Sequence, residues 1–189
     1  MRRILAKYKV QNKYILFVGT LKPSKNIEGL LVAWAKIEND FPDTDLVIVG
    51  KKGWSYETIF KKTKKLRIEH RVIFTDFIPD EDKHALLSRA YGYILPSFWE
   101  GFGIDVVNAM ALGVPVIVSD RGSLPEIAGN ACLVVDPYNT DDIADKIRSL
   151  LIMPKNKYNK MVFRGRSQAN KFKWDNTARE TLAVFKKIK

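Results

Sequence analysis

Short runs of consecutive apolar residues alternate along the chain with longer stretches in which apolar residues recur every three or four positions. The runs are residues 14–18, 46–49, 72–74, 93–95, 116–118 and 132–135. Uninterrupted runs of this length predict strands buried on both faces, as in a parallel sheet covered by helices. Behind Ser24, a candidate N-cap, Ile27, Leu30, Leu31, Trp34 and Ile37 repeat at helical spacing, and Phe41, Pro42 and Asp43 close that helix. Further helices are predicted over 56–66, 80–89, 103–112, 140–152, 155–170 and 176–187. The alternation predicts an α/β fold with a doubly wound, Rossmann-like parallel sheet, in which ligands bind beyond the carboxyl ends of the strands. No internal repeat, low-complexity segment or internal linker breaks it. Residues 1–13 read as a tail or linker entering the first strand, and 14–189 as one domain.

The candidate site residues fall at those strand ends: Gly19 and Thr20, Gly50, residues 75–78, 96–100 and 119–122. The most informative segment is Ser97-Phe98-Trp99-Glu100-Gly101-Phe102-Gly103, which opens the helix at 103–112. Exposed amides and the positive end of a helix dipole favour an anion there, and glycines let a ligand approach the main chain. Glu100 would repel a phosphate, so its predicted role is to accept hydrogen bonds from hydroxyls of the same ligand, a sugar joined to a diphosphate. The same spacing would serve a plain strand-to-helix turn that needs glycine for its geometry.

Composition narrows the class. A chain of 189 residues with 46% hydrophobic content can bury one sizeable core. No apolar run nears the roughly 20 residues that span a bilayer, and the first residues carry Arg2 and Arg3 but no apolar core of signal-peptide length, which predicts a cytoplasmic protein. The single cysteine, Cys132, reads as a small buried residue; His70 and His84 show no metal-ligand spacing and read as surface residues. The net charge of +11 is concentrated at the end. Residues 151–189 hold eleven Lys or Arg against Asp175 and Glu180, or +9, and leave +2 for the rest. A basic end of this kind suits an anionic membrane surface, a lipid-phosphate acceptor or nucleic acid, or is simply a solvated face.

Several motifs in fixed order resemble the donor-binding, C-terminal domain of retaining GT-B glycosyltransferases (glycosyltransferase family 4). They are residues 19–26 (Gly-Thr-Leu-Lys-Pro-Ser-Lys-Asn), 96–103, 109–111 (Ala-Met-Ala), 113–117 (Gly-Val-Pro-Val-Ile), 123–127 (Ser-Leu-Pro-Glu-Ile) and 172–174 (Phe-Lys-Trp). The resemblance covers the chain from about Tyr14 to its end. It implies that Gly19, Thr20 and Lys25 belong to the loop that meets the donor diphosphate. Glu100 would be the catalytic carboxylate at the donor sugar, with Gly101, Phe102 and Gly103 as donor-binding backbone. Ile78 would contact the base through main chain and side chain, and Lys83 would lie near its edge. Two departures stand out. Many relatives carry arginine where Thr20 stands, and a glutamate for the ribose where Asn108 stands, eight residues after Glu100; asparagine can bond a hydroxyl but without the charge. Asp105, in the first turn, is expected to face away from the diphosphate, and Glu126 to be structural. Asp43 and Asp45 have metal-motif spacing but precede their strand. No metal and no cofactor is expected beyond the substrate, a GDP- or UDP-sugar.

The implied reaction is transfer of a sugar, mannose from GDP-mannose on the form of the 19–26 loop, to a glycan or lipid-linked acceptor. The implied partners are the nucleotide-sugar donor and an N-terminal acceptor domain that this chain lacks, not nucleic acid, so the domain alone should bind donor without transferring sugar efficiently. The site would be cytoplasmic, peripheral at the inner face of the membrane. Two rival readings are a nucleotide-sugar isomerase or hydrolase of the same architecture and a basic nucleic-acid-binding domain.

Overall fold

The computed structural model describes residues 2–187. In chain order the elements are α1 (Arg2–Lys7), β1 (Lys13–Val18), α2 (Ile27–Ala35), β2 (Thr44–Val49), α3 (Glu57–Leu66), β3 (Val72–Asp76), α4 (Asp80–Arg89), β4 (Gly92–Leu95), α5 (Ile104–Leu112), β5 (Val116–Ser119), α6 (Leu124–Ala128), β6 (Cys132–Val135), α7 (Thr140–Leu151), α8 (Lys155–Ala169) and α9 (Trp174–Lys187). The six strands form one sheet in the order β3-β2-β1-β4-β5-β6, and every pairing is parallel. This is the doubly wound arrangement, whose switch point lies between β1 and β4. The two central strands are in register at Ile15↔Gly92 and Leu16↔Tyr93, with the Tyr91 amide just before β4 donating to the Tyr14 carbonyl, whereas β1 and β2 are paired from Lys13↔Thr44 to Val18↔Val49.

The apolar runs become strands because both faces are covered. Ile15, Leu16 and Phe17 in β1, Leu46, Val47 and Ile48 in β2, and Val116, Ile117 and Val118 in β5 are all fully buried. Helices α2, α3 and α7 pack together, and α1, α4, α5 and α8 form a second group. Helix α7 has the best-defined start: the Asn139 side chain accepts from the amides of Asp141 and Asp142, satisfying donors that a helix leaves orphaned.

Within the tail expected over residues 1–13, residue 1 lies outside the described residues, residues 2–7 form the docked helix α1 and Lys13 begins β1. Leu5 and Tyr8 pack on the core and Val10 is buried. Lys7 Nζ and Tyr8 Oη both reach Asp82 Oδ2 on α4, at 2.6 and 2.5 Å. The Lys7 ammonium, then the Tyr8 hydroxyl, hold the Asp82 carboxyl below its ordinary 3.8. Asp45 lies near the amino end of β2, buried, with Arg71 Nη1 at 3.4 Å, which makes it a structural charge. At the other end of the chain, α9 begins at Trp174 and buries none of its described residues, leaving Trp174, Leu182 and Phe185 in solvent. Among the described residues no helix is long and apolar enough to cross a membrane.

Candidate functional site

The loops after β1, β4, β5 and β6 meet at the carboxyl edge of the sheet, and a single side chain ties three of them together. Asn26 takes the left-handed conformation (φ 52°) that ends the turn Pro23–Lys25 and begins α2. Asparagine tolerates that region better than most side chains. Its buried Nδ2 donates to the carbonyls of Pro96 (3.1 Å) and Pro137 (2.6 Å). The β1 loop is also tied to the next strand, since Gly19 N–H donates to Val49 and Leu21 N–H to Lys51. Lys25 therefore starts from a fixed backbone.

Lys25 Nζ lies 2.5 Å from Glu100 Oε1, with both side chains mostly buried. Ser97 Oγ donates to the same carboxylate oxygen at 2.7 Å. The Ser97 backbone is held in turn by Ser119, whose Oγ donates to the Ser97 carbonyl at 2.6 Å; both serines are fully buried. Glu100's own carbonyl accepts from the Ser123 amide and the Ser123 hydroxyl, each at 3.1 Å. Gly122 makes this approach possible: its φ is +60°, and an added Cβ would stand 2.5 Å from the Glu100 carbonyl oxygen. The carboxylate that sequence reasoning singled out is thus fixed at side chain and at main chain by three serines that lay in its motif segments without an assigned role. The signal available in the sequence was local, the three-residue step from Ser97 to Glu100; Ser119 and Ser123 come from a different loop.

Helix α5 opens directly after this carboxylate. Gly103, its first flank, has φ +90°, and a Cβ there would lie 2.8 Å from Leu124 Cδ2. No side chain caps the helix, so its amide end faces the exposed Gly101 and Phe102 with only the dipole of the helix behind it. Phe102 meets Phe172 edge-on at 5.7 Å, which couples the loop to the chain leaving α8. Phe98 stacks on Tyr138 at 4.9 Å, and Arg121 lies over the Tyr138 ring.

The other candidates are spread around this centre. The stem of Lys25 passes Gly19, where an added Cβ would lie 3.7 Å from Cε, and Thr20 is half-buried beside Gly53. Ile78 is 4% exposed, so the side-chain contact to a base expected of it is taken by the core instead, and only its main chain is left for a ligand. Lys83 Nζ bonds Asp80 Oδ1 at 2.8 Å; that bond, aided by the negative charge of Asp105, raises the Lys83 ammonium above its ordinary value. Asp105 is thus oriented among Lys83, Asn108 and the buried Tyr93, whose hydroxyl is pushed well up by burial and then by Asp105 and Glu100. Asn108 is exposed on α5, its Nδ2 3.4 Å from Asp105 Oδ1. His70 and His84 are exposed, and burial raises the Cys132 thiol to about 11. Among the described residues no three His, Cys, Asp or Glu groups converge.

Two clefts open at this edge. One of about 240 Å³ lies between Lys22, Asn26, Ser55 and Phe98, and one of about 190 Å³ between Gly50, Lys52, Phe60 and Asp76. A larger cavity, about 560 Å³, lies elsewhere, between α8 and the turn Gly129–Ala131, and contains none of the predicted donor residues. Chemistry, not size, marks the site: a paired cation and carboxylate beside an uncapped helix start, at the switch point of the sheet.

Residues 2–168 match the family described as "Glycosyl transferases group 1". O-antigen chain mannosyltransferase B of Escherichia coli is 34% identical over 97% of this chain and 48% of its own length. The MMP alpha-(1->4)-mannosyltransferase of Mycolicibacterium hassiacum is 31% identical over 95% of this chain and 44% of its own. The sucrose-phosphate synthase structure from Thermosynechococcus elongatus superimposes with a TM-score of 0.86 at 26% identity, covering all of this chain and 49% of that one. The chain therefore spans about half the length of the relatives it matches.

Proposed function

Because the chain belongs to the group 1 glycosyl transferases, we propose that it is the donor-binding part of a retaining enzyme. That enzyme moves mannose from GDP-mannose to a glycan or lipid-linked acceptor and needs a second, acceptor-binding domain. Two relatives named as mannosyltransferases support the choice of sugar. The observation that carries the reading is the contact between Lys25 and Glu100 at the head of α5. A lysine and a carboxylate with complementary tasks, one for a leaving diphosphate and one for a hexose, stand side by side where both ends of a nucleotide sugar would arrive.

In this reading donor entry exchanges partners. A diphosphate offers Lys25 more negative charge than one carboxylate does, and the amides of Gly101, Phe102 and Gly103 with the helix dipole share the rest. Glu100, still held by Ser97, is released to accept hydrogen bonds from the sugar hydroxyls. Because the donors are fixed before reaction, they stabilise charge as it develops on the leaving phosphate with little reorganisation. Asn108 supplies an uncharged partner for the ribose and Lys83 lies by the base; no metal is invoked.

Calorimetric titration with GDP, UDP and ADP tests the proposal. GDP should bind at submillimolar concentration, and Lys25→Ala should weaken it at least about tenfold, the scale of one charge-assisted hydrogen bond. Absence of binding across the panel would overturn the donor assignment; preference for UDP would overturn only the choice of guanosine.

A further inference from the structure

Between Asp145 and Asp175 the chain contains no acidic residue and nine Lys or Arg. Lys146 and Arg148, on α7, are paired with Asp142, Asp145 and Asp40. The cations of α8 are different. Lys157, Lys160 and Arg164 stand at i, i+3 and i+7, forming one exposed stripe. None has an acidic partner among the described residues. Lys171 continues the stripe beyond the helix, its Nζ bonded only to the neutral Gln168 Oε1.

The exposed stripe borders a groove. The 560 Å³ cavity takes in Arg164, Ser167 and Lys171, and a second cavity of about 240 Å³ takes in Lys157, Lys160 and Met153. The two are contiguous, sharing Asn130, Ala131 and Arg164, and run along the outer edge of the sheet beside β6. Apolar side chains border the cations: Phe163, which lines the larger cavity, is 74% exposed next to Arg164, and Ile152 is 65% exposed next in sequence to Met153, which lines the smaller one.

We infer that this face of α8 docks on the surface of an anionic phospholipid bilayer. Lipid phosphates sit against Lys157, Lys160, Arg164 and Lys171, and Phe163 and Ile152 enter the headgroup layer. Clustered cations on a helix face attract anionic lipid, and partition grows with apolar area buried at the interface. Phe163 alone would suit a base as well as a bilayer, so it is the aliphatic member that decides against a nucleic acid. Ile152 has no aromatic face on which a base could stack, whereas the bilayer interface takes up both a cation and an aliphatic group. The inference does not depend on the donor proposal, since its residues are separate from Lys25 and Glu100.

Sedimentation of the 189-residue chain with phosphatidylcholine vesicles, with and without phosphatidylglycerol, tests it. Binding should require phosphatidylglycerol and fall as salt is raised. Each basic residue near an anionic surface is worth about fivefold in partition, so Lys157→Glu, Lys160→Glu and Arg164→Glu together should reduce it about a hundredfold or more. A triple Gln variant, which cannot add repulsion, should lose a large part of it. GDP titration and thermal unfolding of both variants should match the parent and so exclude misfolding. Failure to sediment with anionic vesicles, or sedimentation unchanged by the substitutions, overturns the inference. Tighter binding of a DNA or RNA duplex through the same residues at the same salt also overturns it, in favour of nucleic acid.

Discussion

The carboxyl edge of the sheet and the outer face of α8 both present positive charge, yet they do so in opposite ways. At the edge, Lys25 is held against Glu100, the carboxylate is held by Ser97, and the peptide behind it by Ser123. Along α8, Lys157, Lys160 and Arg164 have no acid among the described residues to hold them. In the proposed function the first arrangement makes a ligand displace a partner, which favours one offering more charge in the right geometry. The second, on the docking inference above, takes the phosphates of an anionic bilayer without displacing any partner. Selectivity belongs to the site whose charges are already neutralised, and avidity to the one whose charges are free.

The contrast can be broken most severely through the backbone of the edge. Gly122→Ala places a Cβ against the Glu100 carbonyl at a φ that L-residues rarely adopt. It should cost about 3 kcal/mol, lowering the melting temperature by roughly 10 °C, and should abolish nucleotide binding. Asn26→Leu comes next. It leaves the Pro96 and Pro137 carbonyls without their donor and puts a branched side chain at positive φ, a loss of about 2 kcal/mol measurable by urea unfolding. Glu100→Gln sharpens the contrast instead of breaking it. Removing the acid that occupies Lys25 should tighten GDP binding severalfold while abolishing sugar transfer in the two-domain enzyme; weaker GDP binding would show that the pair is a scaffold and not a competitor. The smallest effect belongs to the α8 variants, whose unpaired and exposed charges should leave stability within about 0.5 kcal/mol of the parent.

Much of this was legible along the chain. The β-strands announce themselves because buried parallel strands need apolar residues on both faces, and the runs at 14–18 and 46–49 allow little else. Glu100, Lys25 and the glycines before α5 could be placed at strand ends, hence at one edge. That Lys25 and Glu100 touch could not be read, because 75 residues separate them and only the β1–β4 pairing brings them together. The serine support was hidden for the same reason, as Ser119 and Ser123 lie 22 and 23 residues from the groups they bind. Helix α1 was missed because it is six residues long, too short for its core contacts at Leu5 and Tyr8 to stand out as a period, and its remaining anchoring is polar, from Lys7 and Tyr8 to Asp82. The burial of Ile78 went unforeseen because a loop residue was assigned to a ligand when the core had the stronger claim on an isoleucine.

The narrow seam between β1 and β4 has a consequence for how the molecule assembles. Strands β1 to β3 and strands β4 to β6 each join neighbours in sequence through single crossovers, so either half can take shape from nearby contacts. The bonds from Asn26 to Pro96 and Pro137, and from Lys25 to Glu100, all span the two halves. The pairing of Lys25 with Glu100 therefore exists in neither half alone, and, if the proposed function holds, nucleotide binding should appear during refolding only once the halves have docked.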